Sequence, residues 1–83
     1  MPPDVRGREQ ILELYLKDKP VSEQVSIPRL ARATAGFSGA DLSNLINTAA
    51  VQAAMENAEQ ITPRALDYAK DKIMMGAEVR LFA

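Results

Sequence analysis

The 83-residue sequence contains no cysteine, no histidine and no tryptophan, and aromatic residues make up only 5% of it. The lack of cysteine excludes disulfides and thiolate chemistry, and it is compatible with a reducing compartment. The lack of both cysteine and histidine removes the commonest zinc ligands and the usual general base near neutral pH. A dominant charge is also missing: ten Lys+Arg face eleven Asp+Glu, for a net charge of −1. That balance leaves no electrostatic case for nucleic acid or an anionic membrane surface. No apolar stretch approaches the ~20 residues that cross a bilayer, so the chain itself reads as soluble.

Phosphate-loop and nucleophile signatures are absent too. There is no Gly-x-x-x-x-Gly-Lys-Ser/Thr run and no nucleophile with a base beside it. A complete active site within these residues is therefore not expected. No catalytic residue and no metal ligand are assigned.

What the chain does have is apolar and helical. Hydrophobic residues make up 47% of it, enough to argue for a folded domain over disorder. Alanine supplies much of that fraction and favours helix. The length suits one small domain or a piece of a larger protein, with a core that hides only ~60–65% of the extended-chain surface.

Four helices and no strand are predicted. The first follows Pro3-Asp4, with Asp4 as N-cap and Val5, Leu12 and Leu16 on one side, and ends near Lys17 ahead of Pro20. Val21 to Val25 reads as a polar loop. The second is short, with Ser26 as cap, Pro28 in its first turn, and Leu30 and Ala31 inward. The third opens at Ser38-Gly39-Ala40-Asp41, a near match to a capping box. Because the box prefers Glu or Gln, Asp41 is expected to favour the helix dipole more than to reach back. Leu42, Leu45, Ile46, Ala49 and Ala53 mark its apolar face, and Glu56-Asn57 ends it. The fourth starts at Thr62-Pro63, carries Leu66, Ala69 and Ile73 inward, and is expected to stop at Gly76. Short connections make this an all-α four-helix bundle.

The stretch Gly36-Phe37-Ser38-Gly39-Ala40-Asp41 has two readings. A helix N-terminus offers free N–H groups and partial positive charge, so Gly39 and Ala40 could lie close to a phosphate or ribose. Alternatively Gly36 makes a turn, Ser38 caps, and nothing binds; spacing alone favours this plainer reading. Phe37 reads as a core plug. Tyr15 is either a stacking residue or a rim aromatic, with the rim favoured. Met74-Met75 reads as core filling before partner surface.

Three stretches, PDVRGREQILELYL, GFSGADLSNLINTAA and AKDKIMMGAE, together resemble the small helical lid of an AAA+ ATPase. The Gly-Phe-Ser-Gly-Ala-Asp element resembles AAA ATPases broadly. Lys70 to Gly76 resembles the FtsH family of membrane-anchored, ATP-dependent zinc metalloproteases in particular. GREQILELYLKDKP is similar to organellar members, plastid ones especially. The resemblance implies a lid over residues 1–78 and a tail over 79–83 leading toward a protease domain. It implies ATP or ADP as ligand, held mainly by a large AAA subdomain, with Gly39 and Ala40 near the nucleotide and Tyr15 beside the adenine or ribose. Zinc would belong only to the protease domain.

The implied partners are that large subdomain, neighbouring subunits of a homo- or hetero-hexamer, and unfolded or membrane-protein substrates. The implied location is a bacterial inner, mitochondrial or plastid membrane. Alone, the chain is expected to be monomeric and inactive. Three features depart from the family pattern: Thr48 where Glu is usual, Val79-Arg80 where two arginines are usual, and the ending Leu81-Phe82-Ala83, which has no clear counterpart. An autonomous helical protein-binding module, or the lid of an unfoldase without a protease, stay open as other readings.

Overall fold

The structure, a computed structural model, describes residues 2–82, with side chains described as far as Gly76. Four helices follow in order: α1 (Val5–Leu16), α2 (Ile27–Ala33), α3 (Gly39–Met55) and α4 (Pro63–Phe82). No strand is among them, and the fold is the small all-α bundle expected. α3 is central: it packs on α4 along one side and on α1 along another, while α2 lies against α1.

Local chemistry explains each helix start. Asp4 accepts the Gly7 N–H at 2.8 Å, and Ser26 accepts the Arg29 N–H at 3.3 Å. Thr62 accepts the Ala65 N–H at 3.1 Å, with Pro63 in the position where its missing N–H costs nothing. α3 ends as a Schellman motif. Ala58 N–H bonds to Ala53 O at 2.9 Å, Asn57 N–H bonds to Ala54 O at 3.1 Å, and Asn57 itself takes φ 60°.

The core is continuous across the bundle. Leu42, Leu45, Ile46, Ala49 and Ala53 of α3 are all buried, as are Leu12 and Leu16 of α1 and Leu66 and Ala69 of α4. Small buried side chains on both partners, Ala49 and Ala53 with Ala65 and Ala69, let α3 and α4 pack closely. Phe37 is buried and closes the core beneath the α2–α3 turn, as a plug would.

Three of these expectations need correction. Val5 is 42% exposed, because the buried side of α1 is set by Arg8, Leu12 and Leu16 at four-residue spacing. α4 does not stop at Gly76 but continues to Phe82. At about 1.5 Å per residue its 20 residues cover some 30 Å, much of the molecule's 36 Å length. Met74 and Met75 consequently lie where α4 has outrun the core, at 45% and 63% exposure. The loops before α2 and before α4 are joined by backbone bonds. Ile61 N–H bonds to Pro20 O and Ser22 N–H to Ile61 O, both at 2.9 Å, forming an isolated parallel bridge of Val21 with Ile61. The side chains of the 79–83 tail, Val79 and Arg80 included, lie outside the described residues.

Candidate functional site

The start of α3 is built by two interlocked devices. Gly36 takes φ +85°, a left-handed conformation that L side chains resist, and turns the chain out of α2. Ser38 then accepts the Asp41 N–H at 3.1 Å while Asp41 Oδ2 accepts the Ser38 N–H at 3.0 Å. This is a complete capping box. Asp41 therefore does reach back, contrary to expectation; its shorter side chain suffices because Ser38 is extended, at φ −79° and ψ 172°.

The box satisfies two of the orphan donors of the helix start and leaves two. Among the described residues, the Gly39 and Ala40 N–H groups bond to no protein acceptor. Gly39 is half-buried and Ala40 is exposed. A Cβ placed on Gly39 would meet nothing within 4 Å, in contrast to Gly7, whose Cβ position lies 3.1 Å from Pro3 Cβ. The fold itself does not require glycine at position 39.

Electrostatics temper the site. The helix N-terminus carries about half a positive charge, but the Asp41 carboxylate sits in the same turn and offsets it. Such a turn suits close backbone approach by one part of a ligand better than capture of a free anion.

Tyr15 lies in the last turn of α1 and, like Ile11, is partly buried against the core. Its backbone carbonyl accepts the Lys19 ammonium at 3.0 Å. Gly39 and Ala40 are thus adjacent, and no hydrogen bond joins Tyr15 to them. Among the described residues, surface clefts of about 610, 430 and 250 Å³ are lined by other residues; the one of about 610 Å³ lies between α1 and the loop after it, with Leu14, Val21, Val25 and Ile27 in its wall.

Sequence reasoning passed over Arg8. It is only 7% exposed; its Nε donates to Ala31 O and its Nη1 to Pro3 O, both at 2.9 Å. The signal was present in the four-residue spacing of Arg8, Leu12 and Leu16, but arginine is rarely a core residue.

Two implied groups can be tested against these residues. A nucleotide fits the α3 turn in kind: free N–H donors, and a glycine that keeps the approach clear. Zinc does not fit. The chain has neither histidine nor cysteine, and among the described residues no cluster of three or more carboxylates could hold a metal. Among them, too, no helix is long and apolar enough to cross a membrane.

Comparison with known proteins shows the family. The family model for the AAA+ lid domain matches residues 24–68, from the loop before α2 into α4. An ATP-dependent zinc metalloprotease of Arabidopsis thaliana, FTSH 11, chloroplastic/mitochondrial, is 59% identical over 76 residues, covering 92% of this chain and 9% of the relative. The rice protein FTSH 9, chloroplastic/mitochondrial, is 58% identical over the same length, covering 92% of this chain and 10% of that protein. The FtsH of Caulobacter vibrioides is 51% identical over 81 residues, covering 98% of this chain and 13% of the relative. The chain spans about a tenth of the length of these curated relatives.

Proposed function

The chain belongs to the AAA+ lid domain family, and on that premise we propose that it is the nucleotide-sensing lid of an FtsH-like, ATP-dependent zinc metalloprotease. In this reading Gly39 and Ala40 approach the nucleotide and Tyr15 flanks its adenine or ribose. Residues 1–78 form the lid and 79–83 lead on toward a protease domain. The bundle closes one wall of a pocket whose phosphate loop belongs to a large ATP-binding subdomain. Rotation of the lid passes the nucleotide state to the next subunit of a hexamer, coupling hydrolysis to unfolding and proteolysis of unfolded or membrane proteins. Membrane anchoring follows from the resemblance to the FtsH family alone.

The observation that carries this reading is the division of labour at α3. Ser38 and Asp41 satisfy two donors of the helix start, while among the described residues the Gly39 and Ala40 N–H groups have no protein acceptor and the fold leaves room at Gly39. ATP, when bound, supplies the phosphoryl bond whose cleavage drives the cycle. This chain's residues contribute hydrogen-bond donors, a clear approach for the ligand and a rigid body that moves.

The autonomous binding module has one observation in its favour, the exposure of Met74 and Met75. The test is ATP-dependent degradation of an unfolded protein by the full-length protein. We expect degradation that stops on chelating zinc. A ring that hydrolyses ATP yet leaves the substrate intact selects the unfoldase reading, and a protein without ATPase activity selects the binding module.

A further inference from the structure

Arg8 carries its charge into the interior without a carboxylate partner among the described residues. Among the described residues, its guanidinium bonds to two neutral carbonyl oxygens, those of Pro3 and Ala31, five and twenty-three residues away in sequence. Burying a charge is unfavourable unless its hydrogen bonds are good, and an apolar side chain of similar volume often packs as well or better. An arginine in this place therefore does something an apolar side chain does not: its planar fork holds two separate stretches of backbone at once.

Those two stretches lead in informative directions. Pro3 belongs to the segment entering α1, and that segment is already pinned: Asp4 caps Gly7, and the Gly7 Cβ position lies 3.1 Å from Pro3 Cβ. Ala31 lies in the last turn of α2. Its carbonyl also accepts the Thr34 hydroxyl at 3.2 Å and the Thr34 N–H at 3.4 Å. The Thr34 carbonyl accepts the Phe37 N–H at 3.0 Å, and Ser38 with its box comes next. A chain of polar contacts thus runs from Pro3 through Arg8, Ala31, Thr34 and Phe37 to the turn bearing Gly39 and Ala40.

We infer that Arg8 is a positioning residue that locks the segment entering α1 to the α2–α3 turn, so that the two move as one body. In its functional consequence this rests on the nucleotide reading of Gly39 and Ala40: a displacement at the turn then reaches the entering chain without loss. The mechanical link stands independently of that reading.

The experiment is position-resolved amide hydrogen exchange on the 83-residue chain, comparing wild type with Arg8→Met and the milder Arg8→Lys. Methionine keeps the stem and loses the donors; lysine keeps the charge on a compact ammonium that does not span two carbonyls. Both variants should speed exchange at Thr34, Phe37 and Ser38 by roughly tenfold or more, with Arg8→Lys the smaller effect, and leave α4 amides such as Ala69 near their wild-type rates. Unchanged exchange at the turn overturns the inference. So does uniform loss of protection along α3 and α4 in both variants, which assigns Arg8 to the core alone. In the full-length protein, Arg8→Lys should lower ATPase kcat with little change in KM, since it touches transmission and not the ligand. If Gly39→Leu leaves turnover intact, the nucleotide reading fails while the exchange result still decides the role of Arg8.

Discussion

Ser38 and Asp41 exchange hydrogen bonds across the first turn of α3, each side chain accepting the other's backbone N–H at 3.1 and 3.0 Å. Reciprocal bonds of this kind act as a unit. Ser38→Ala should destabilise the chain by about 1 kcal/mol, lowering its melting temperature by about 4–8 °C. Asp41→Ala should cost a similar amount, and the double variant should cost less than the two together. Thermal melts of the three variants check this, and strictly additive losses would count against a working box.

Leu45 is fully buried on the central helix, where α3 supports both neighbours. Leu45→Ala should destabilise by about 2–5 kcal/mol, because the buried contacts of the lost atoms and the cavity left behind both count against the fold. Urea unfolding should show a lower midpoint at an unchanged slope.

The glycines make opposite predictions. Gly36 holds φ +85°, so Gly36→Ala should destabilise by roughly 1–2 kcal/mol. Gly76 lies inside α4, with open space around its Cβ position. Gly76→Ala should therefore stabilise by about 0.5–1 kcal/mol, since alanine orders more cheaply within a helix. A loss of stability at Gly76 would mean that α4 ends there.

Much of this architecture is legible in the sequence because it is written in caps. Asp4, Ser26, Ser38 and Thr62 each accept the N–H three residues on, as their types and positions predict. What is not legible depends on length and on distant neighbours. Glycine after an apolar stripe signals a helix end only where its backbone turns left-handed. Gly36 does so and Gly76 does not, and nothing local separates them. The exposure of Met74 and Met75 follows from α4 outrunning its partners, which no periodicity reveals. The Val21–Ile61 bridge joins loops forty residues apart by backbone bonds that carry no side-chain pattern. At the candidate site, spacing favours a plain cap and only the family resemblance points to a ligand, and only geometry shows that the box leaves the Gly39 and Ala40 amides without a protein acceptor among the described residues.

The chain alone should neither hydrolyse ATP nor cleave protein. In the proposed reading it supplies only one wall of a pocket, and the Asp41 carboxylate in the first turn of α3 offsets the helix dipole there, so the cost of fixing a nucleotide would not be recovered. Calorimetric titration with ATP should detect only weak binding. Tight binding by the isolated chain would contradict its assignment as a lid.

The most direct test of the nucleotide role is Gly39→Leu, read as melting of the 83-residue chain beside ATP turnover of the full-length protein. A Cβ at Gly39 would meet nothing within 4 Å, so the fold is expected to tolerate a side chain there. The leucine nonetheless projects from the turn into the approach to the two free amides. The account predicts a melting temperature within a few degrees of wild type and loss of most ATP turnover, with Ser38→Ala showing the larger stability loss and the smaller loss of turnover. An unfolded Gly39→Leu chain, or a full-length variant that turns over ATP at the wild-type rate, would contradict it.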